Sequence, residues 1–191
     1  MKRLLLISLA VLLAVSLGIT MFPTQSVAAL QKGGLAFHIK AKGEGDYLYQ
    51  YPGSESGTGE FSINVAGNKR FNYQFSRGRW RWGLQDVIQG HIKGSFGEHE
   101  IDVTLTNPWS LGEQVWLDDE TGKITAVGFK FKGTYDGNKV TSVQSYIRVY
   151  YENGELDYIL ADLCFIDGAN NQTFLDVTMY DASVDLHQNP N

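Results

Sequence analysis

From Leu35 to Tyr180 the chain alternates apolar and polar residues in short runs, and glycines interrupt those runs at intervals near ten residues. A helix would repeat its buried stripe every ~3.6 residues, whereas a strand turns every second side chain to the same face. Past the first 29 residues no stretch of roughly 11 residues carries a convincing helical period. Short, evenly spaced strands separated by turn residues belong to an all-β barrel or sandwich. The alternation predicts strands over 34–41, 46–51, 58–66, 70–76, 79–93, 98–106, 114–117, 123–135, 139–152, 155–166 and 172–182. The least strand-like stretch is 107–122, with Asn107-Pro108 and Asp118-Asp119-Glu120.

Turn length sets which side chains share a face, because a slip of one residue turns a whole strand over. Asn153-Gly154 reads as a two-residue type I′ turn. It pairs Glu152 with Glu155, Tyr151 with Leu156, Val149 with Tyr158, Ile147 with Leu160 and Ser145 with Asp162. One face then carries Val143, Ile147, Val149, Leu156, Tyr158, Leu160 and Cys164. A three-residue loop at Asp136-Gly137-Asn138 extends that face, setting Phe131 opposite Val143, Phe129 opposite Ser145 and Val127 opposite Ile147. Earlier, an odd loop around Gly67 would oppose Phe61, Ile63 and Val65 to Phe71, Tyr73 and Phe75. A Ser95-Phe96 turn would pair Lys93 with Glu98 and His91 with Glu100, leaving Ile88, Ile92, Ile101 and Val103 on the dry side.

A sheet with one apolar face must bury it, and no helix is predicted to cover this one. The expected architecture is a single antiparallel meander closed as an up-and-down β-barrel, with a two-sheet β-sandwich as the alternative. The expected organisation is a secretory signal over 1–29, one all-β domain over 30–186 and a frayed tail over 187–191. Lys2 and Arg3 precede an apolar run from Leu4 to Met21, and Val27-Ala28-Ala29 offers a cleavage site, so export to a periplasm or the exterior is expected. An uncleaved anchor is the rival reading, since about 20 apolar residues suffice to span a bilayer. No later segment is apolar enough for a spanning helix.

Without Lys2 and Arg3 the chain keeps 14 basic residues against 21 acidic ones, a net charge of −7. That argues against non-specific attraction to nucleic acid or anionic membranes. Cys164 is the only cysteine, so no internal disulfide can form and packing must hold the domain. Asn171-Gln172-Thr173 is a glycosylation sequon, relevant only in a eukaryotic secretory route.

Asp162 stands out, because the register places it on the apolar face between Leu160 and Cys164 and opposite Ser145. A carboxylate there needs a partner, a proton or a wet cavity. In a barrel with a lumen it would anchor a ligand, with Ser145 and Tyr158 beside it and Phe129 and Phe131 as walls. Yet Ile159, Ala161, Leu163 and Phe165 make the other face of that strand apolar as well. Trp80 and Trp82 share one side of a strand, flanked by Arg79 and Arg81, which suits a stacking platform for a sugar or an anion. Core packing of both indoles is the plainer explanation. His91, His99, Glu98, Glu100 and Asp102 supply only two convergent ligands in the proposed hairpin, short of a zinc site. Asp118-Asp119-Glu120 reads more simply as a solvated turn than as a calcium site. Cys164 reads as inert packing. Tyr47, Tyr49, Tyr51, Tyr135, Tyr150 and Tyr151 lie near turns, where aromatic rings suit barrel mouths or ordinary strands alike.

No nucleophile elbow, phosphate loop or dinucleotide fingerprint occurs, and no catalytic residue, cofactor or metal is assigned. The expected function is an exported, non-enzymatic binding protein. Its ligand would be small and apolar or carbohydrate-like, held in a barrel mouth or lumen by Asp162, Ser145, Tyr158, Phe129, Phe131, Trp80 and Trp82. A small enzyme using Asp162 as acid or base, and a protein-interaction module, are the alternatives.

Overall fold

A computed structural model describes residues 34–50, 53–70, 73–76, 79–82, 87–106, 114–166 and 171–189. The expected signal at 1–29 lies outside them. The strands are β1 (Gly34–Gln50), β2 (Ser54–Arg70), β3 (Tyr73–Ser76), β4 (Arg79–Trp82), β5 (Val87–Phe96), β6 (His99–Thr106) and β7 (Val115–Leu117). They continue with β8 (Ile124–Tyr135), β9 (Asn138–Ser142), β10 (Ser145–Glu152), β11 (Glu155–Ile166), β12 (Gln172–Met179) and β13 (Ala182–Asn189). There is no helix among the described residues, so none is long and apolar enough to cross a membrane.

Every pairing is antiparallel, and the main sheet closes into a ring of eight strands. Three ring positions are made of two segments each. β6 and β7 lie along one edge of β8, β9 and β10 run between β8 and β11, and β12 and β13 run along β1. Closure removes the exposed edges that an open meander would leave. β3 and β4 form a separate two-stranded sheet, with Tyr73 opposite Trp82 and Phe75 opposite Trp80.

Several expected pairings are replaced. β1 and β2 form one continuous hairpin from Gly34↔Arg70 to Gln50↔Ser54, so the two strands expected here are one, Gly34–Gln50. Phe61, Ile63 and Val65 accordingly face Gly94, Ile92 and Gly90 of β5 rather than Phe71, Tyr73 and Phe75. The β5–β6 turn is Gly97-Glu98, with Gly97 at φ 53°, and it pairs Lys93 with Asp102 and His91 with Thr104. This register differs from the expected one by an even step, so Ile88, Ile92, Ile101 and Val103 keep the buried face. The chain end is not frayed up to Asn189, because His187, Gln188 and Asn189 pair with Ala36, Leu35 and Gly34.

Two irregularities decide which side chains face inward. The β8–β9 connection is a two-residue turn, Asp136-Gly137, with φ of 49° and 74° as a type I′ turn requires. The expected Phe129↔Ser145 and Val127↔Ile147 pairs nevertheless form, because the chain bends at Val143-Gln144 and regains the lost residue. Val143 is pushed out at that bend and is 44% exposed, off the apolar face expected for it. The Asn153-Gly154 turn forms as expected, with both φ positive (50° and 85°), and pairs Tyr151 with Leu156. One residue later β11 carries an extra residue, Asp157, so Tyr150 faces Tyr158 and Val149 faces Ile159. Such a bulge inverts the alternation beyond it.

The inverted alternation puts Ile159, Ala161, Leu163 and Phe165 in the interior, each at 0% exposure. They meet Phe96, Phe129, Phe131, Ile39, Ile63, Ile92, Ile124, Ile147 and Leu175, all essentially inaccessible. Burying each such side chain contributes about 1.5–3 kcal/mol. An eight-stranded ring is just wide enough for its own side chains, and here they fill it.

Candidate functional site

The bulge at Asp157 also determines what the outside of the ring carries. Beyond it Tyr158, Leu160 and Asp162 point away from the core, beside the outward Tyr146, Arg148 and Tyr150 of β10. Cross-strand register arranges them in rows. One row runs Gly128, Tyr146, Asp162, Asp176, Leu48 across β8, β10, β11, β12 and β1. The next runs Ala126, Arg148, Leu160, Thr178, Asp46. A third begins with Tyr150 and Tyr158, stacked at 4.4 Å with 19° between ring planes.

Aromatic rings border these rows at both ends. Trp116 of β7 lies 6.0 Å from Tyr146, and its indole rests over Gly128, where a side chain would press on it. Tyr180, 62% exposed at the β12–β13 bend, lies 6.0 Å from Tyr158 and donates a hydrogen bond to Asp46 at 3.3 Å. The Asp46 charge raises the pKa of the Tyr180 phenol, which keeps it a donor. The exposed large apolar residues among those described are Val143, Tyr150, Ile166, Phe174 and Tyr180, and all lie on β10–β12 or the bends beside them.

Charge lies between the rings. Arg148 sits over Tyr146 at 5.4 Å and reaches the Asp162 carboxylate at 3.5 Å. Asp176 lies directly opposite Asp162. Burial raises the Asp176 carboxyl above its ordinary pKa, the Asp162 charge raises it further, and Arg148 opposes both. One guanidinium thus serves two carboxylates on a surface lined by tyrosine. Flat rings offer stacking area, and the acids accept while the guanidinium donates in fixed directions. The arrangement suits a ligand with an apolar face and hydroxyl-bearing edges.

The expected inward pocket does not assemble. Phe129, Phe131 and Ser145 are in the interior, while Tyr158, Leu160 and Asp162 are outside, because Tyr146 rather than Ser145 faces Asp162 once the bulge has shifted the register. Ser145 instead patches the backbone beside the Val143-Gln144 bend, accepting from the Cys164 N–H at 3.0 Å. Trp80 and Trp82 lie on β4, and their side chains are outside the described residues. Cys164 is buried, its thiol raised by burial and then by the Asp162 charge, with Gln172 as its partner at 3.2 Å.

Sequence reasoning named Asp162 and Tyr158 but missed Trp116, Tyr146, Arg148, Asp176 and Tyr180. The available signal was the doubly apolar β11, which a simple alternation could not accommodate. His91 pairs with Asp102 at 2.5 Å, not with Glu100, and Lys93 binds the other Asp102 oxygen at 2.8 Å. Asp102 is held below its ordinary pKa first by Lys93 and then by His91. His99 packs against both Tyr49 and Tyr135 and contacts Asp136 at 2.7 Å. Among the described residues no three metal-ligating side chains converge. Asp118 closes its own turn by accepting from the backbone and hydroxyl of Thr121, both at 2.7 Å. Neither a protein-family model, nor a curated protein, nor a solved structure matches the chain.

Proposed function

We propose that this is an exported, non-enzymatic binding protein that holds a carbohydrate-like ligand on the outer face of β10, β11 and β12. The observation that carries the reading is the grouping of Trp116, Tyr146, Tyr150, Tyr158 and Tyr180 around Asp162, Asp176 and Arg148. Sugar rings stack their C–H faces on tyrosine and tryptophan, while their hydroxyls bond to carboxylates and guanidinium. An apolar ligand would leave those three charges without new partners. The ring interior, filled by its own side chains, favours the outer face over a lumen.

The test is affinity electrophoresis of the secreted form against a panel of soluble polysaccharides, with Tyr158→Ala and Asp162→Asn as variants. Retardation by at least one polysaccharide, lost in both variants while their unfolding midpoints hold, supports the reading. Unaltered mobility across the panel refutes it.

A second reading, a protein-interaction module, draws on Phe174, Ile166 and Val143, which are apolar and 38–44% exposed at one end of the same face. Exposed apolar patches of this kind mark partner surfaces. Native mass spectrometry from the host compartment separates the two: a stoichiometric protein partner favours the module, a retained glycan the binder.

A further inference from the structure

We propose that the adjoining outer surface, where β1 changes partner, carries a second site, one for a tetrahedral oxyanion such as a phosphate or sulfate group. Between the Ala41↔Ala182 and Asp46↔Thr178 pairs, four residues of β1 face three of the β12–β13 bend. Gly43 takes up the surplus with φ 125°, a conformation that side-chain-bearing residues avoid. Beside this irregularity lies a groove of about 370 Å³.

Hydrogen-bond donors dominate its lining. Lys40 and Lys42 stand two residues apart on the outer face of β1, both exposed, and neither ammonium has an ion-pair partner among the described residues. Register sets Lys40 beside Ser183 and Asn64, and Lys42 beside Ser62. The Asn64 carbonyl oxygen is occupied by His38 Nε2 at 2.6 Å, which leaves the amide N–H groups to donate. Asp181 is the one carboxylate in the lining.

A group that only accepts, and carries charge, matches two ammoniums, an amide and two hydroxyls. In a chain of net charge −5 overall, two adjacent unpaired lysines are a local exception. Lys42 and Ser62 also line a second groove of about 510 Å³, shared with Lys93 and the acids Glu60, Glu100 and Asp102. That space would take the remainder of a phosphorylated or sulfated molecule.

Nitrogen–proton NMR titration with inorganic phosphate, at ionic strength held constant with chloride, tests the site. The expected result is saturable shifts at Lys40, Lys42, Ser62 and Ser183. Lys42→Gln should weaken binding about tenfold, the size of one charge-assisted hydrogen bond lost. Lys139→Gln, on the exposed start of β9, should leave it unchanged. Shifts that fail to saturate, or that fall equally in Lys139→Gln, overturn the proposal. Sedimentation with phosphatidylglycerol and phosphatidylcholine vesicles separates the sources of the oxyanion. Pelleting with the former alone, lost in Lys42→Gln, identifies a lipid headgroup; saturable phosphate binding without pelleting identifies a soluble ligand.

Discussion

The hydroxyl of Ser145 accepts a hydrogen bond from the backbone N–H of Cys164 at 3.0 Å and lies 3.4 Å from its carbonyl oxygen. Ser142, on the other side of the Val143-Gln144 bend, accepts from the Phe131 N–H at 2.6 Å. Both serines are buried, and each completes a ladder on a different neighbouring strand. Two hydroxyls thus let one strand bend within a closed ring without stranding backbone donors.

Removing that patch should be costly. Ser145→Ala leaves the Cys164 N–H without a partner in a dry environment, and a loss of about 1–3 kcal/mol is expected. Urea unfolding measures it. A cost indistinguishable from zero would mean that the bend does not depend on the serine.

The bulge at Asp157 predicts a contrast between two leucines on one strand. Leu163 is fully buried, and Leu163→Ala should cost about 2–5 kcal/mol. Leu160 is on the outer face, and Leu160→Ala should cost about 1 kcal/mol or less. Equal losses, or the reverse order, would restore the unbulged register.

Two aspartates should respond to pH in opposite senses. Asp176 has a raised pKa in the folded protein, so its penalty is absent below the unfolded value near 3.8 and grows as pH rises through the folded value. Asp176→Asn should therefore gain about 0.2–1 kcal/mol at neutral pH and nothing in strong acid. Asp102 is lowered by Lys93 and His91, so it stabilises above the unfolded value and loses that contribution as pH falls toward the folded one. Asp102→Asn should lower stability at neutral pH only, and slightly, since the pair is exposed. Thermal unfolding between acid and neutral pH reads both signs.

Two glycines are fixed by their neighbours. A methyl at Gly90 would overlap the Asn64 carbonyl, and one at Gly133 would overlap the Asp102 carbonyl. Backbone cannot yield as a side chain can, so alanine at either site should cost about 1–3 kcal/mol or more. Gly53→Ala, which meets nothing within 4 Å, should stay within about 0.5 kcal/mol. Denaturant midpoints of the three variants test the ranking.

Much of this was legible before folding. Alternation and glycine spacing were enough for an all-β chain, and the positive-φ residues at Asn153-Gly154 marked a turn at its true position. Ile88, Ile92, Ile101 and Val103 kept their face even though the β5–β6 turn moved, because parity survives an even shift. The candidate site was less legible. Asp162 and Tyr158 were expected on the inner side of the sheet, and the bulge at Asp157 turns them outward, next to Asp176 of β12 and in line with Tyr146 and Trp116.

Local sequence therefore determined strand periodicity and the residues able to turn, since both depend on backbone sterics over a few positions. Which face each strand buries past Asp157, where β1 exchanges β12 for β13, and which rings gather around Asp162 were decided by ring closure. Closing eight strands requires each to match two neighbours at once, and the bulges that reconcile those matches flip side chains far from the residues that cause them.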